Sequence, residues 1–116
     1  MGKKILILDD QPDILEVLTE ILEILGHEVT AITSGNNIEK IFQAAHYDMV
    51  ISDYQMPDMT GVDIAKKIKD KYQGTKVYII SGYHQLLSEE KMAEYGISGL
   101  LDKPFDIDEL KRIVND

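Results

Sequence analysis

The sequence predicts an α/β domain, a five-stranded parallel sheet doubly wound by helices. Two observations carry this. Short apolar runs of strand length alternate five times with stretches of helical period, and in such an alternation each helix is the crossover to the next parallel strand. The runs are also almost continuously apolar, which suits strands covered on both faces. The 116 residues fit one domain, expected to span 1–116, and 44% hydrophobic content is enough for one core.

Residues 5 to 8 form the first strand, an apolar run stopped by Asp9. Pro12 suits the first turn of the next helix, where its missing N–H removes a donor with no partner there. Ile14, Leu18, Ile21 and Leu25 recur along that helix at helical spacing. Glu16, Glu20 and Glu23 take the opposite side, and Gly26 is placed to end it. A second strand follows over Glu28–Ile32, then a helical stripe of Ile38, Ile41, Phe42 and Ala45. The third strand, residues 49 to 52, ends at Asp53. Thr60 and Asp63 have the spacing of a capping box before a helix that turns Ile64, Ala65, Ile68 and Tyr72 inward. Lys76–Ser81 is the fourth strand, 88 to 95 the fourth helix, and 98 to 101 the fifth strand. Asp106 and Glu109 cap a last helix whose inner face is Ile107, Leu110, Ile113 and Val114.

Composition excludes several classes. With no cysteine there is no disulfide framework, thiolate metal site or cysteine nucleophile. The longest apolar runs are four residues, far short of a membrane span, and the N-terminal run stops at two aspartates with no cleavage site. A cytoplasmic domain with no membrane partner is expected. A formal charge of -9 argues against a nucleic-acid partner, because phosphates must be met by Lys and Arg. The acids are concentrated: residues 1 to 60 hold eleven acids and three bases, residues 61 to 116 ten and nine. An acidic half suits cations or a basic partner surface.

In an open parallel sheet, ligands bind beyond the carboxyl ends of the strands. The first strand delivers Asp9 and Asp10 there, the third Asp53, the fourth Ser81 and the fifth Lys103. Each alone has an ordinary explanation as turn, cap or surface charge; their coincidence at one edge does not. Carboxylates at ~5 Å repel by about 3 kcal/mol per pair at an effective dielectric of about 20, so the cluster invites a cation. Few, hard oxygen ligands with open positions suit magnesium. Lys103 adds fixed positive charge, and the Ser81 hydroxyl can donate to an anionic oxygen. These groups describe a phosphoryl site in which a carboxylate is the nucleophile. Asp53 is assigned that role because it stands alone at a central strand end, whereas Asp9 and Asp10 are paired to hold metal.

From Lys4 to Val114 the chain resembles the receiver domain of two-component response regulators. The matching motifs are Ile-Leu-Ile-Leu-Asp-Asp at 5 to 10, Ile-Ser-Asp-Tyr-Gln-Met-Pro-Asp-Met-Thr-Gly at 51 to 61, Ile-Ser-Gly at 80 to 82 and Asp-Lys-Pro-Phe at 102 to 105. Singly they are weak; in this order and spacing they are specific. The resemblance implies the flavodoxin-like strand order 2-1-3-4-5. It implies that Asp53 accepts a phosphoryl group from a histidine of a sensor kinase or phosphotransfer protein. Asp10 would be a direct ligand of magnesium, or of manganese in its place, Asp9 would act through a bound water, and the Gln55 main-chain carbonyl would complete the shell. Ser81 would hydrogen-bond the phosphoryl group, Lys103 would pair with it, and the Lys103–Pro104 bond would be cis. The domain would act as a switch rather than an enzyme, signalling to a downstream protein through the face of helix four, strand five and helix five.

One position departs from the family pattern: Leu100 stands where an aromatic residue is usual, three residues before the lysine. Phosphorylation is expected to survive, with output depending more on 82 to 87, where Tyr83 either gates the site or is a surface residue. His27, His46 and His84 have no assigned chemistry, and Met56 and Met59 flank the site loop. A haloacid-dehalogenase-like aspartyl-phosphate phosphatase would place its first aspartates two apart, but Asp9 and Asp10 are adjacent. A flavin carrier would need small and hydroxyl residues in the first loop, where this chain has acids. A phosphorylation-independent, receiver-like adaptor is disfavoured by the complete set of site residues. A stand-alone receiver is expected because the last helix closes the chain.

Overall fold

Five parallel strands form one sheet in the order β2-β1-β3-β4-β5, as the sequence and its resemblance imply. The computed structural model describes residues 2–56, 58–72, 74–82 and 88–115. Along the chain the elements are β1 (Lys4–Leu8), α1 (Pro12–Ile24), β2 (Glu28–Ile32), α2 (Ile38–Ala44) and β3 (Met49–Asp53). Then come α3 (Gly61–Lys71), β4 (Lys76–Ser81), α4 (Glu89–Tyr95), β5 (Gly99–Asp102) and α5 (Ile107–Val114).

The sheet separates two apolar layers because successive strand residues point to opposite faces. On one face Ile5, Ile7, Met49, Ile51, Tyr78, Ile80 and Leu101 pack against α1 and α5. On the other Leu6, Leu8, Val50, Val77 and Ile79 meet α2 and α3. Residues 5 to 8 are at most 1% exposed, so the first strand is buried on both faces as its run predicts.

Local signals hold at most boundaries. Thr60 and Asp63 close a reciprocal capping box at the start of α3, each side chain bonded to the other's backbone. Gly26 follows α1 at φ +94°, a left-handed conformation that only glycine adopts cheaply. Two expectations need correction. The inward residues of α1 are Leu15, Leu18 and Leu22, with Ile14, Ile21 and Leu25 only partly buried beside them. In α5, Ile107 is half exposed, and Glu109 does not cap the helix but lies 3.9 Å from Arg112. Asp106 alone caps it, accepting from the Asp108 N–H.

Register fixes what reaches the carboxyl edge. Leu8 lies beside Ser52, Ser52 beside Ile79, and Ile79 beside Leu100. Asp9 and Asp53 therefore follow in the same row and face the same side, while Ser81 and Lys103 end β4 and follow β5 one and two rows further on.

Candidate functional site

A cleft of about 550 Å³ opens at this edge, lined by Asp10, Gln11, Asp53, Tyr54, Gln55, Met56, Ser81, Gly82 and Lys103. Asp9 is fully buried and does not line it; Asp53 and Ser81 are buried, and Asp10 is exposed. Carboxylate oxygens of Asp9, Asp10 and Asp53 lie within 4.8 Å of one another. Lys103 Nζ stands 3.6 Å from Asp9 Oδ2 and 3.6 Å from Asp53 Oδ2. Its own N–H donates to the Ser81 carbonyl, 3.1 Å, which ties the end of β5 to β4. The Lys103–Pro104 peptide is cis. The five side chains singled out in the sequence are thus brought together.

Burial pushes the Asp53 carboxyl above the usual carboxylate range; Lys103 opposes that shift and Asp10 reinforces it. Asp9 is likewise raised by burial, against the lowering effect of the Gln11 N–H, with the Asp53 charge adding to the rise. Asp9 Oδ1 accepts that N–H at 2.9 Å, an Asx turn that ends at Gln11, just before α1. Among the described residues its buried Oδ2 accepts no hydrogen bond. A buried carboxylate oxygen without a donor, beside two more carboxylates, lacks positive charge that one lysine does not fully supply. Hard oxygen donors of this kind fit a magnesium ion.

The segment after Asp53 folds back on itself. Gln55 bridges Thr60 in antiparallel fashion, the Met56 N–H donates to the Met59 carbonyl at 3.2 Å, and the Gly61 N–H donates to the Tyr54 carbonyl at 2.8 Å. Gln55, held in this fold, lines the cleft together with Lys103. Gln11 and Tyr54 also line the cleft, unanticipated by the sequence except that each directly follows a site aspartate. His27 is remote, its Nδ1 accepting the Lys3 N–H at the opposite end of the sheet, and His46 is exposed near Asp48. Tyr83, His84 and the rest of 83–87 lie outside the described residues. Leu100 packs, partly buried, on the side of α3 and α4.

The family model for the response regulator receiver domain matches residues 5–115. The chain belongs to this family. The DNA-binding transcriptional regulator NtrC of Azospirillum brasilense is 34% identical over 95% of the chain, which spans only 23% of that protein's length. Sporulation initiation phosphotransferase F of Bacillus subtilis is 32% identical, covering 98% of this chain and 92% of its own. The response regulator TrrA of Thermotoga maritima, solved in complex with Mg2+-BeF, superposes with a TM-score of 0.85 at 32% identity, over 97% of this chain and 96% of that one. As a receiver domain, the chain is a phosphoacceptor unit of a two-component phosphorelay, and its aspartate cluster fits that task. Receiver domains work with histidine kinases or phosphotransfer proteins. Membership sets aside the phosphatase and flavin-carrier alternatives. Among the described residues no helix is long and apolar enough to cross a membrane.

Proposed function

We propose that residues 1–116 form one cytoplasmic receiver domain that takes a phosphoryl group on Asp53 and serves as a switch, with no turnover of an external substrate. The observation that carries this is the placement of the Asp53 carboxylate, 3.6 Å from Lys103 Nζ and within 4.8 Å of the Asp9 and Asp10 oxygens, at an open cleft. In the transfer, an Asp53 oxygen bonds to phosphorus as the bond from phosphorus to a donor imidazole nitrogen breaks, and the electron pair leaves with that nitrogen. The Lys103 ammonium offsets charge on the phosphoryl oxygens, and the Ser81 hydroxyl donates to one of them. Asp9, Asp10, Asp53 and the Gln55 main-chain carbonyl would hold magnesium, with manganese able to use the same oxygens. When bound, the ion supplies positive charge that lets carboxylate and phosphoryl oxygens approach.

The donor is a sensor histidine kinase or phosphotransfer protein. The output is a population shift of the face formed by α4, β5 and α5, read by a downstream protein. Support for a movable face comes from α4, which has no buried residue. Incubation with acetyl phosphate and magnesium tests the assignment by mass spectrometry. One phosphoryl adduct is expected, lost in Asp53→Ala and reduced at least tenfold in rate in Lys103→Ala. An adduct that survives Asp53→Ala would place the acceptor elsewhere.

A further inference from the structure

We infer that Ser34 and Asp58 are positioning residues: a clamp between the β2–α2 turn and the segment after Asp53 that holds Gln55 at the metal side of the cleft. The inference rests on the site assignment above. Ser34 Oγ donates to Asp58 Oδ2 at 2.8 Å and also accepts the Asn36 N–H at 3.2 Å, so one hydroxyl shapes its own turn and grips the neighbouring one. The next residue reinforces the grip. Gly35 is buried, and a Cβ placed there would run into Met59 Sδ and lie 3.1 Å from Ile64 Cδ1. Two consecutive residues of one turn thus meet Asp58 and Met59, two consecutive residues of the other.

Both ends of the contact lead to the site. Upstream of Ser34, the Ile32 carbonyl accepts the Asp9 N–H at 3.2 Å. Downstream, the arm holding Asp58 and Met59 pairs with the arm holding Gln55 and Met56, through the Met56 N–H to the Met59 carbonyl and the bridge from Gln55 to Thr60. The short stretch from Ile32 to Gly35 is therefore bonded to Asp9 on one side and, through one hairpin, to Gln55 on the other. Neither Ser34 nor Asp58 lines the cleft. Their effect would reach the ion indirectly, through the Gln55 carbonyl and the Asp9 backbone that they help hold in place.

Magnesium titration followed by amide NMR tests the clamp, together with amide exchange of Met56 and Gly61 in metal-free protein. In Ser34→Ala the magnesium Kd should rise about three- to tenfold, the equivalent of one lost hydrogen bond. The Met56 and Gly61 amides should exchange faster by a similar factor. Ser34→Thr keeps the hydroxyl and should restore both values. Asp58→Asn keeps an accepting oxygen and should also resemble the parent, whereas a purely electrostatic role for Asp58 would make it change affinity as Ser34→Ala does. Unchanged Kd and exchange in Ser34→Ala, with magnesium bound normally by the parent, overturn the clamp alone. A parent that binds no magnesium, while Ser34→Ala still loosens the two amides, keeps the clamp on the hairpin but overturns the site assignment.

Discussion

At the scale of single residues, burial governs the charge of Asp9 and Asp53 before any ligand does. Both have carboxyl pKa values raised above the ordinary 3.8, first by burial, and the Lys103 ammonium offsets this only in part. A raised carboxyl binds protons more readily folded than unfolded. Its charge therefore weakens the metal-free fold above the raised value, and the penalty is relieved as pH falls through that value toward 3.8. Asp53→Asn should accordingly be more stable than the parent at neutral pH without metal, by a few degrees in melting temperature. That advantage should vanish as acidification protonates the parent. Magnesium should reverse the order, because a ligand for the folded state stabilises only the chain that binds it. Thermal melts of both chains at several pH values, with and without magnesium, check the sign. A constant gap at all pH values would mean that burial does not set the charge of Asp53.

At the scale of elements, the chain was most legible where a residue type has one physical use. The capping box of α3 and the glycine after α1 fall where their chemistry places them. The inner face of α1 was less legible, because apolar residues occupy 14, 15, 17, 18, 21, 22, 24 and 25, and such a broad stripe does not reveal its centre. Ile107 misled for a different reason: it is the first residue of α5, half exposed, whereas Leu110, Ile113 and Val114 further along are buried. Gly61 shows how one element constrains another. Alanine favours a helix by about 1 kcal/mol over glycine. Yet a Cβ at 61 would lie 2.7 Å from Ile79 Cδ1 and 2.8 Å from the Asp53 carbonyl oxygen, and backbone cannot yield as a side-chain tip can. Contact outweighs propensity, so Gly61→Ala should lose about 1–3 kcal/mol in urea unfolding and bind magnesium more weakly as the end of β3 shifts. A gain in stability would show that α3 moves freely away from Asp53.

At the scale of the whole molecule, the site was legible because strand ends are separated in sequence but adjacent in a parallel sheet: Asp9, Asp53, Ser81 and Lys103 could be listed from the run boundaries alone. What the sequence did not show was vertical placement. Only the fold buries Asp9 while leaving Asp10 exposed in the cleft lining, and only the packing joins Ser34 to Asp58. The same architecture divides the fold by stability. The central strands β1 and β3 each supply a carboxylate and are buried throughout nearly their whole length, so they open only when the site is destroyed. By contrast α4 has no fully buried residue: Met92 and Tyr95 pack only partly buried against the core, and Lys69 Nζ to the Glu94 carbonyl and Lys66 over the Tyr95 ring add surface contacts. It can unfold locally without disturbing the carboxylates. Magnesium at about a hundred times its Kd should stabilise the folded state by about 2.7 kcal/mol, which slows amide exchange in β1 and β3 about a hundredfold. Exchange in α4 should stay fast and nearly unchanged. Equal slowing in α4 and the central strands would mean that the helix opens only with the whole fold, and the face proposed for output would then lack the independent mobility a switch requires.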